Sequence, residues 1–261
     1  MKLIQSRDNP NFRELLKLAG SARQRNKSAQ TLLDGAHLLA AYLDAGNLPQ
    51  QVLLNEAALR DGEVAGLLQR LSGVPATQLD DKLFSDLSEL KTPTGILALI
   101  DIPVPAASVA DSRFALLLED IQDPGNLGSM LRCAAAAGCD AVFLSQGCAD
   151  AWSPRVLRAG MGGHFVVAIH EAAELPAVAA NFHGRVIAAA LGATDNLYDC
   201  DLRGTVAFAI GNEGAGLGAD LLALCRPVRI PMPGKMESLN AAAAAAVCLF
   251  ESVRQRQQAF K

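Results

Sequence analysis

Residues 114–138 read FALLLEDIQDPGNLGSMLRCAAAAG, and the order of chemistry along them decides the fold class. Phe114–Leu118 is continuously apolar, the pattern of a strand covered on both faces. A short acidic loop follows, then helix signals: Asp123 as N-cap, Pro124 at the first helical position and Gly138 just past the end. A buried strand leading through a loop into a helix is the first half of a strand–helix–strand unit, whose next strand runs parallel. In such sheets ligands bind in the loops at the carboxyl ends of the strands, so EDIQDPGN is the first place to look for a site.

The same alternation continues outward. Strands are expected at 141–145, 165–170, 185–191, 205–210 and 227–231, with helices between most of them. This predicts an α/β domain with a mostly parallel sheet and helices on both faces. Upstream, DIPVPAASVADSR (101–113) carries two prolines, small residues and no apolar period, as a linker does. Before it, helical stretches at 34–46 and 56–71 alternate with strands at 51–55 and 95–100, a smaller α/β domain. The division is therefore 1–102 and 112–261, joined by 103–111.

Composition excludes several classes. At 51% hydrophobic residues over 261, the chain can bury a real core and is not disordered. No apolar run approaches the roughly 20 residues that span a bilayer, and the first thirty residues lack an apolar signal region. A cytoplasmic protein without membrane association is expected. The six cysteines form no CxxC and no Cys/His pattern of zinc spacing, so no metal site is expected. A net charge of −4 does not suggest nucleic-acid binding, but residues 1–30 carry seven Lys/Arg against two Asp/Glu. Such a patch grips phosphates, or simply solvates a helix face.

Three loops at strand ends are rich in Gly, Pro and short polar residues: EDIQDPGN, GNEGAGLG (211–218) and MPGKMESLN (232–240). GAGLGA (214–219) fits G-x-G-x-x-A after a strand, as a dinucleotide-binding loop does. Its place argues against that reading. The fingerprint opens a domain, whereas only about forty residues follow it here.

Taken together, the loops resemble the three motifs of the SpoU/TrmH-type RNA ribose 2′-O-methyltransferases of the SPOUT superfamily. EDIQDPGNLGSMLRCAAAAG resembles the first, with Asn126 and Arg132 six apart; AIGNEGAGL resembles the second and RIPMPGKMESLNAAAA the third. SPRVLRAGMGGHF (153–165) resembles a further family stretch, with Ala159-Gly160 where the family usually has Ala-Ser. The resemblance covers about 112–256. It implies S-adenosylmethionine as methyl donor, a deep C-terminal trefoil knot and a homodimer whose site lies near the subunit interface. The N-terminal part is similar to the RNA substrate-binding domain of rRNA-modifying members.

Methyl transfer to a ribose hydroxyl is an in-line displacement that needs alignment and loss of one proton. The resemblance marks Arg132, Asn126, Glu213, Ser238 and Asn240 as catalytic, and Gly192, Gly211, Ile230 and Leu239 as cofactor-binding. A guanidinium is a reluctant base, so Arg132 is expected to position the hydroxyl or a phosphate and stabilise developing alkoxide. The base itself stays open. Asn126 orients Arg132 or the ribose, or is a turn residue. Ser238 is a site residue or the N-cap of the last helix, whereas Asn240 suits a helix interior poorly and needs another reason. Arg13, Arg23, Arg25, Lys27, Arg155 and Arg158 are candidate phosphate contacts. The expected activity is 2′-O-methylation of large-subunit rRNA, with tRNA as the alternative. A catalytically silent RNA-binding or assembly protein of the same fold is the different-class reading. The alanine run 241–246 is expected to be a thin helical floor under the site.

Overall fold

The computed structural model describes residues 1–90 and 92–258, so Lys91 and the last three residues of the expected 112–261 domain lie outside it. The chain forms two compact units, Met1–Pro103 with Trp152–Phe165, and Val104–Ala151 with Val166–Lys261.

The first unit runs β1 (Lys2–Ile4), α1 (Pro10–Gly20), α2 (Ala22–Ser28), β2 (Gln30–Asp34), α3 (Ala36–Asp44), β3 (Gln51–Leu54), α4 (Gly62–Arg70), β4 (Ala76–Leu79), α5 (Asp81–Leu87) and β5 (Ile96–Asp101). Its sheet has the order β1-β4-β3-β5-β2. β1, β4 and β3 are parallel, while β5 pairs antiparallel with both β3 and β2. Phe12, Leu15 and Leu18 of α1 and Phe84 of α5 bury against Leu32, Leu53 and Leu97 of the strands. The short strands β1, β2 and β4 were not anticipated; Lys-Leu-Ile and Ala-Thr-Gln-Leu are too brief to show a period.

Arg25 corrects an expectation here. It is 4% exposed, and its Nη1 donates to the carbonyls of Leu18 (2.5 Å) and Ala19 (3.1 Å). Carbonyls in the last turn of a helix have no intrahelical partner, so this guanidinium satisfies the end of α1 and is not available to a phosphate. Arg13 pairs with Asp8 at 2.6 Å, whereas Arg23 and Lys27 are exposed.

The second unit carries β6 (Phe114–Leu118), α6 (Pro124–Ala137), β7 (Ala141–Leu144), then, after α7 (Pro154–Gly160), β8 (Ala168–His170), α8 (Leu175–Asn181), β9 (Arg185–Ala189), β10 (Val206–Ile210), α9 (Ala219–Leu222), β11 (Arg226–Val228) and α10 (Ala241–Gln258). Its six strands, ordered β11-β9-β10-β6-β7-β8, are all parallel. All five residues of β6 are buried, as a strand covered on both faces requires. The helix signals of 123–138 hold: Asp123 Oδ1 accepts from the Asn126 amide at 2.7 Å, and Gly138 closes α6 in the left-handed region at φ +78°. β8 is shorter than expected because Gly163–Phe165 turns as a 3₁₀ helix, and β11 ends at Val228, which leaves Ile230 and Pro231 outside the sheet. Residues 102–113 contain no helix or strand.

The stretch Trp152–Phe165, read from sequence as part of the 112–261 domain, packs in the first unit. Thr31 Oγ1 donates to the Trp152 carbonyl at 2.7 Å, and Phe165 meets Tyr42 edge-on with centroids 5.0 Å apart. A Cβ on Gly162 would come within 2.6 Å of the Ala41 Cβ, so only glycine permits this approach. Arg155, exposed on α7, pairs with Glu89 at 3.2 Å, and Arg158 is also exposed. Among the described residues no helix is long and apolar enough to cross a membrane.

Candidate active site

The strand order of the second unit reverses between β6 and β10, since the chain adds β7 and β8 on one side of β6 and β10 with β9 on the other. At such a switch point the two outgoing loops splay and leave a crevice. Here they are stitched together. Glu119 donates its backbone N–H to Ile210 O at 3.0 Å and accepts from the Gly218 N–H at 2.6 Å, while Asn212 Nδ2 donates to Asp120 O at 2.9 Å.

The loop after β10 folds tightly on itself. Asn212 Oδ1 accepts from the amides of Gly214 (2.9 Å) and Ala215 (3.1 Å), and Asn212 and Gly216 exchange backbone hydrogen bonds. Asparagine before glycines is the sequence signal of this turn. Gly211 is obligatory for a second reason: a Cβ there would lie 2.2 Å from the Gly216 carbonyl atoms. Neither Asn212 nor Glu119 was singled out from sequence, because their partners lie in a different loop or in a turn not yet formed.

A cleft of about 380 Å³ opens between this loop, residues Ala189–Leu191 at the end of β9, and Ile230, Met232, Ser238, Leu239, Ala241 and Ala244. Gly211, Ile230, Leu239, Ser238 and Glu213 line it together, whereas Gly192 does not line it. Glu213 is the one ionisable side chain among the lining residues.

Glu213 is held by a chain of amides. Asn240 is the N-cap of α10: its Oδ1 accepts from the Ala242 amide at 2.9 Å and the Ala243 amide at 3.2 Å. That cap leaves only Nδ2 to face Asn126, and it donates to Asn126 Oδ1 at 2.9 Å. Asn126 must then present its own Nδ2 to Glu213 Oε1, and it does. The direction of all three groups follows from the cap, because each amide has one donor end and one acceptor end. Helix α10 therefore begins at Ala241, and Ser238, weighed from sequence as its cap, sits before it in an exposed, irregular segment. Asn126 binds Glu213 and Asn240 rather than Arg132. Arg132 is exposed on α6, and its side chain makes no hydrogen bond or ion pair among the described residues.

The alanine run divides its work. Ala242 and Ala245 are buried where α10 packs on α6 and β10, while Ala241 and Ala244 face the cleft. Nearby, Cys148 donates to Leu118 O at 3.3 Å, and burial pushes its thiol pKa up, which makes it a packing group rather than a nucleophile. Among the described residues no three His, Cys, Asp or Glu side chains gather as a metal site would require.

The residues present fit S-adenosylmethionine. Leu191, Ile210, Ile230 and Leu239 supply apolar walls suited to a planar base, and the volume lies in the range of small-molecule sites. The lining contains no Lys or Arg and carries one carboxylate, which suits a cationic sulfonium and opposes a dinucleotide with two phosphates.

Residues 113–250 match the model of the SpoU rRNA methylase family. The chain belongs to that family. Residues 9–98 match the MRM3-like substrate binding domain. Among SpoU relatives, the chain is 32% identical to the 23S rRNA (guanosine(2553)-2′-O)-methyltransferase RlmP of Bacillus subtilis, over 96% of this chain and 98% of that protein. The SpoU methyltransferase AviRb of Streptomyces viridochromogenes, solved in complex with AdoMet, superposes with a TM-score of 0.84 at 26% identity, over 95% of this chain and 98% of that one. A structure described as giving insight into 2-OH methylation of C/U34 on tRNA matches only 56% of this chain, with a TM-score of 0.51 at 30% identity.

Proposed function

We propose that this protein transfers a methyl group from S-adenosylmethionine to a ribose 2′-hydroxyl of large-subunit rRNA. The cleft carries the reading: apolar walls, one carboxylate and no cation, with Glu213 set by the Asn240–Asn126 amide chain. Bound S-adenosylmethionine supplies an electrophilic methyl carbon on a positive sulfur. Leu191, Ile210, Ile230 and Leu239 exclude water from it, and the backbone of 211–217 shapes its pocket. Asn126 and Asn240 fix Glu213. Ser238, on the cleft wall, hydrogen-bonds the ribose or the cofactor, and Arg132 positions the target hydroxyl or its phosphate.

The homologous rRNA enzyme spans both parts of this chain, whereas the tRNA-related structure matches about half of it, which favours rRNA over tRNA. The first unit is proposed to grip that RNA with Arg13, Arg23, Lys27, Arg155 and Arg158, and Arg25 is withdrawn from the set. A trefoil knot and a cytoplasmic homodimer complete the proposal. The knot is supported by the segments after β9, β10 and β11 all reaching one cleft, and the dimer by exposed Phe250 on α10.

Mapping ribose methylation in total RNA from cells with and without the protein tests the function. One 2′-O-methyl mark in large-subunit rRNA should vanish. Loss of a tRNA mark instead would shift the substrate, and loss of none would leave a silent RNA-binding protein.

A further inference from the structure

Every internal ribose of an RNA chain has a phosphate on either side. A target ribose presented to this cleft therefore brings negative charge to a wall that has no cation and already carries Glu213. Those phosphates must be met at the rim.

Among the described residues, the cations of the second unit fall into two groups. Arg185 and Arg203 pair with Asp201, Arg226 with Asp195, and Arg254 with Glu251. Arg256 stacks over Phe114 and donates to Gly204 O and Ser252 Oγ. Arg113, Arg132, Arg229 and Lys235 make no side-chain hydrogen bond or ion pair among the described residues and are exposed. Arg113 precedes β6, at the end of the sheet opposite the ligand-binding loops. Arg132 already has a role in the proposed chemistry.

Arg229 and Lys235 remain, and both belong to the segment that forms one wall of the cleft. Arg229 directly precedes Ile230, and its backbone is pinned by hydrogen bonds to Asp195 O (2.8 Å) and from the Leu197 amide (3.0 Å). Lys235 lies three residues from both Met232 and Ser238, so its Cα is within about 11 Å of a lining residue at full extension. Glu237 is two residues away, yet the two charges form no pair. Unpaired and exposed beside the cleft, these two charges are free to meet a ligand of opposite sign.

We propose that Arg229 and Lys235 bind the RNA phosphates flanking the target ribose and so position it over the cleft. This rests on the RNA methyltransferase reading. They are positioning residues, acting on the backbone of the substrate and independent of its base.

The test compares Arg229→Ala, Lys235→Ala, the double variant and, as a paired control, Arg226→Ala. Filter binding of a transcript of large-subunit rRNA lacking 2′-O-methyl groups is followed from low to high salt, with S-adenosylmethionine affinity measured by calorimetry. Each single change should lower the slope of log affinity against log salt by about 0.7, and the double by about 1.4. KM for RNA should rise with little change in kcat, S-adenosylmethionine should bind as in the wild type, and Arg226→Ala should keep the wild-type slope. A double variant with wild-type slope and KM overturns the proposal while leaving the methyltransferase reading intact. An equal effect of Arg226→Ala overturns the argument from pairing. A wild-type protein that binds neither the transcript nor S-adenosylmethionine overturns both readings together.

Discussion

Asn240 does two jobs with two ends of one amide, and two substitutions separate them. Asn240→Ala removes the acceptor for the Ala242 and Ala243 amides at the start of α10, a cap worth about 1 kcal/mol. It also removes the hydrogen bond to Asn126, which in an exposed setting contributes about 0.5–1 kcal/mol. For a domain of this size each kcal/mol lowers Tm by about 2–4 °C, so a fall of about 3–8 °C is expected. Asn240→Asp keeps the cap, and a negative charge suits a helix N-terminus. The start of α10 should therefore be kept, and any loss of stability comes from the Asn126 side alone. The carboxylate, however, cannot donate to Asn126 Oδ1. Asn126 can satisfy it only by turning its amide over, which sets an oxygen against Glu213 in place of the donor now there.

A hydrogen bond to a charged group is worth about 1.5–3 kcal/mol, so the methylation step should slow by about 10- to 100-fold. Differential scanning calorimetry and single-turnover methylation of rRNA, with S-adenosylmethionine affinity as control, measure the two effects. A normal single-turnover rate for Asn240→Asp would refute the amide chain. An unchanged Tm for Asn240→Ala would refute the cap.

Three further outcomes are expected. Gly211→Ala should lower S-adenosylmethionine affinity by more than about tenfold in calorimetry, about 1.4 kcal/mol, because its Cβ meets the Gly216 backbone and forces the loop off the cleft. Arg25→Met should lower stability by about 1.5–3 kcal/mol in urea unfolding, by leaving the carbonyls of Leu18 and Ala19 unpaired, while the salt dependence of RNA binding stays as in the wild type. Trp152, the single tryptophan of the chain, is 3% exposed and belongs to the first unit. A fragment of residues 104–261 lacks the partners of Trp152–Phe165, so its tryptophan emission should shift to the red. Emission unchanged from the full chain would mean that this stretch does not depend on the first unit.

The sequence by itself determined what local chemistry determines. Continuous apolar runs marked the buried parallel strands, Asp123, Pro124 and Gly138 bounded α6, and two of the three polar loops at strand ends held residues that line one cleft, Gly211, Glu213, Ser238 and Leu239 among them. These signals survive in a linear reading because strands buried on both faces and helix caps depend on neighbours within a few positions. Tertiary structure alone decided the rest. Arg25 looks like any basic surface residue until α1 ends beneath it, and Trp152–Phe165 reads as part of the domain that surrounds it in sequence but packs with the other. Asn240 was an odd residue for a helix interior until α10 was seen to start one position later, where its amide caps the helix and points Asn126 at Glu213. Each of these depends on a partner from a separate segment, and burial and hydrogen-bond direction exist only once the segments have met.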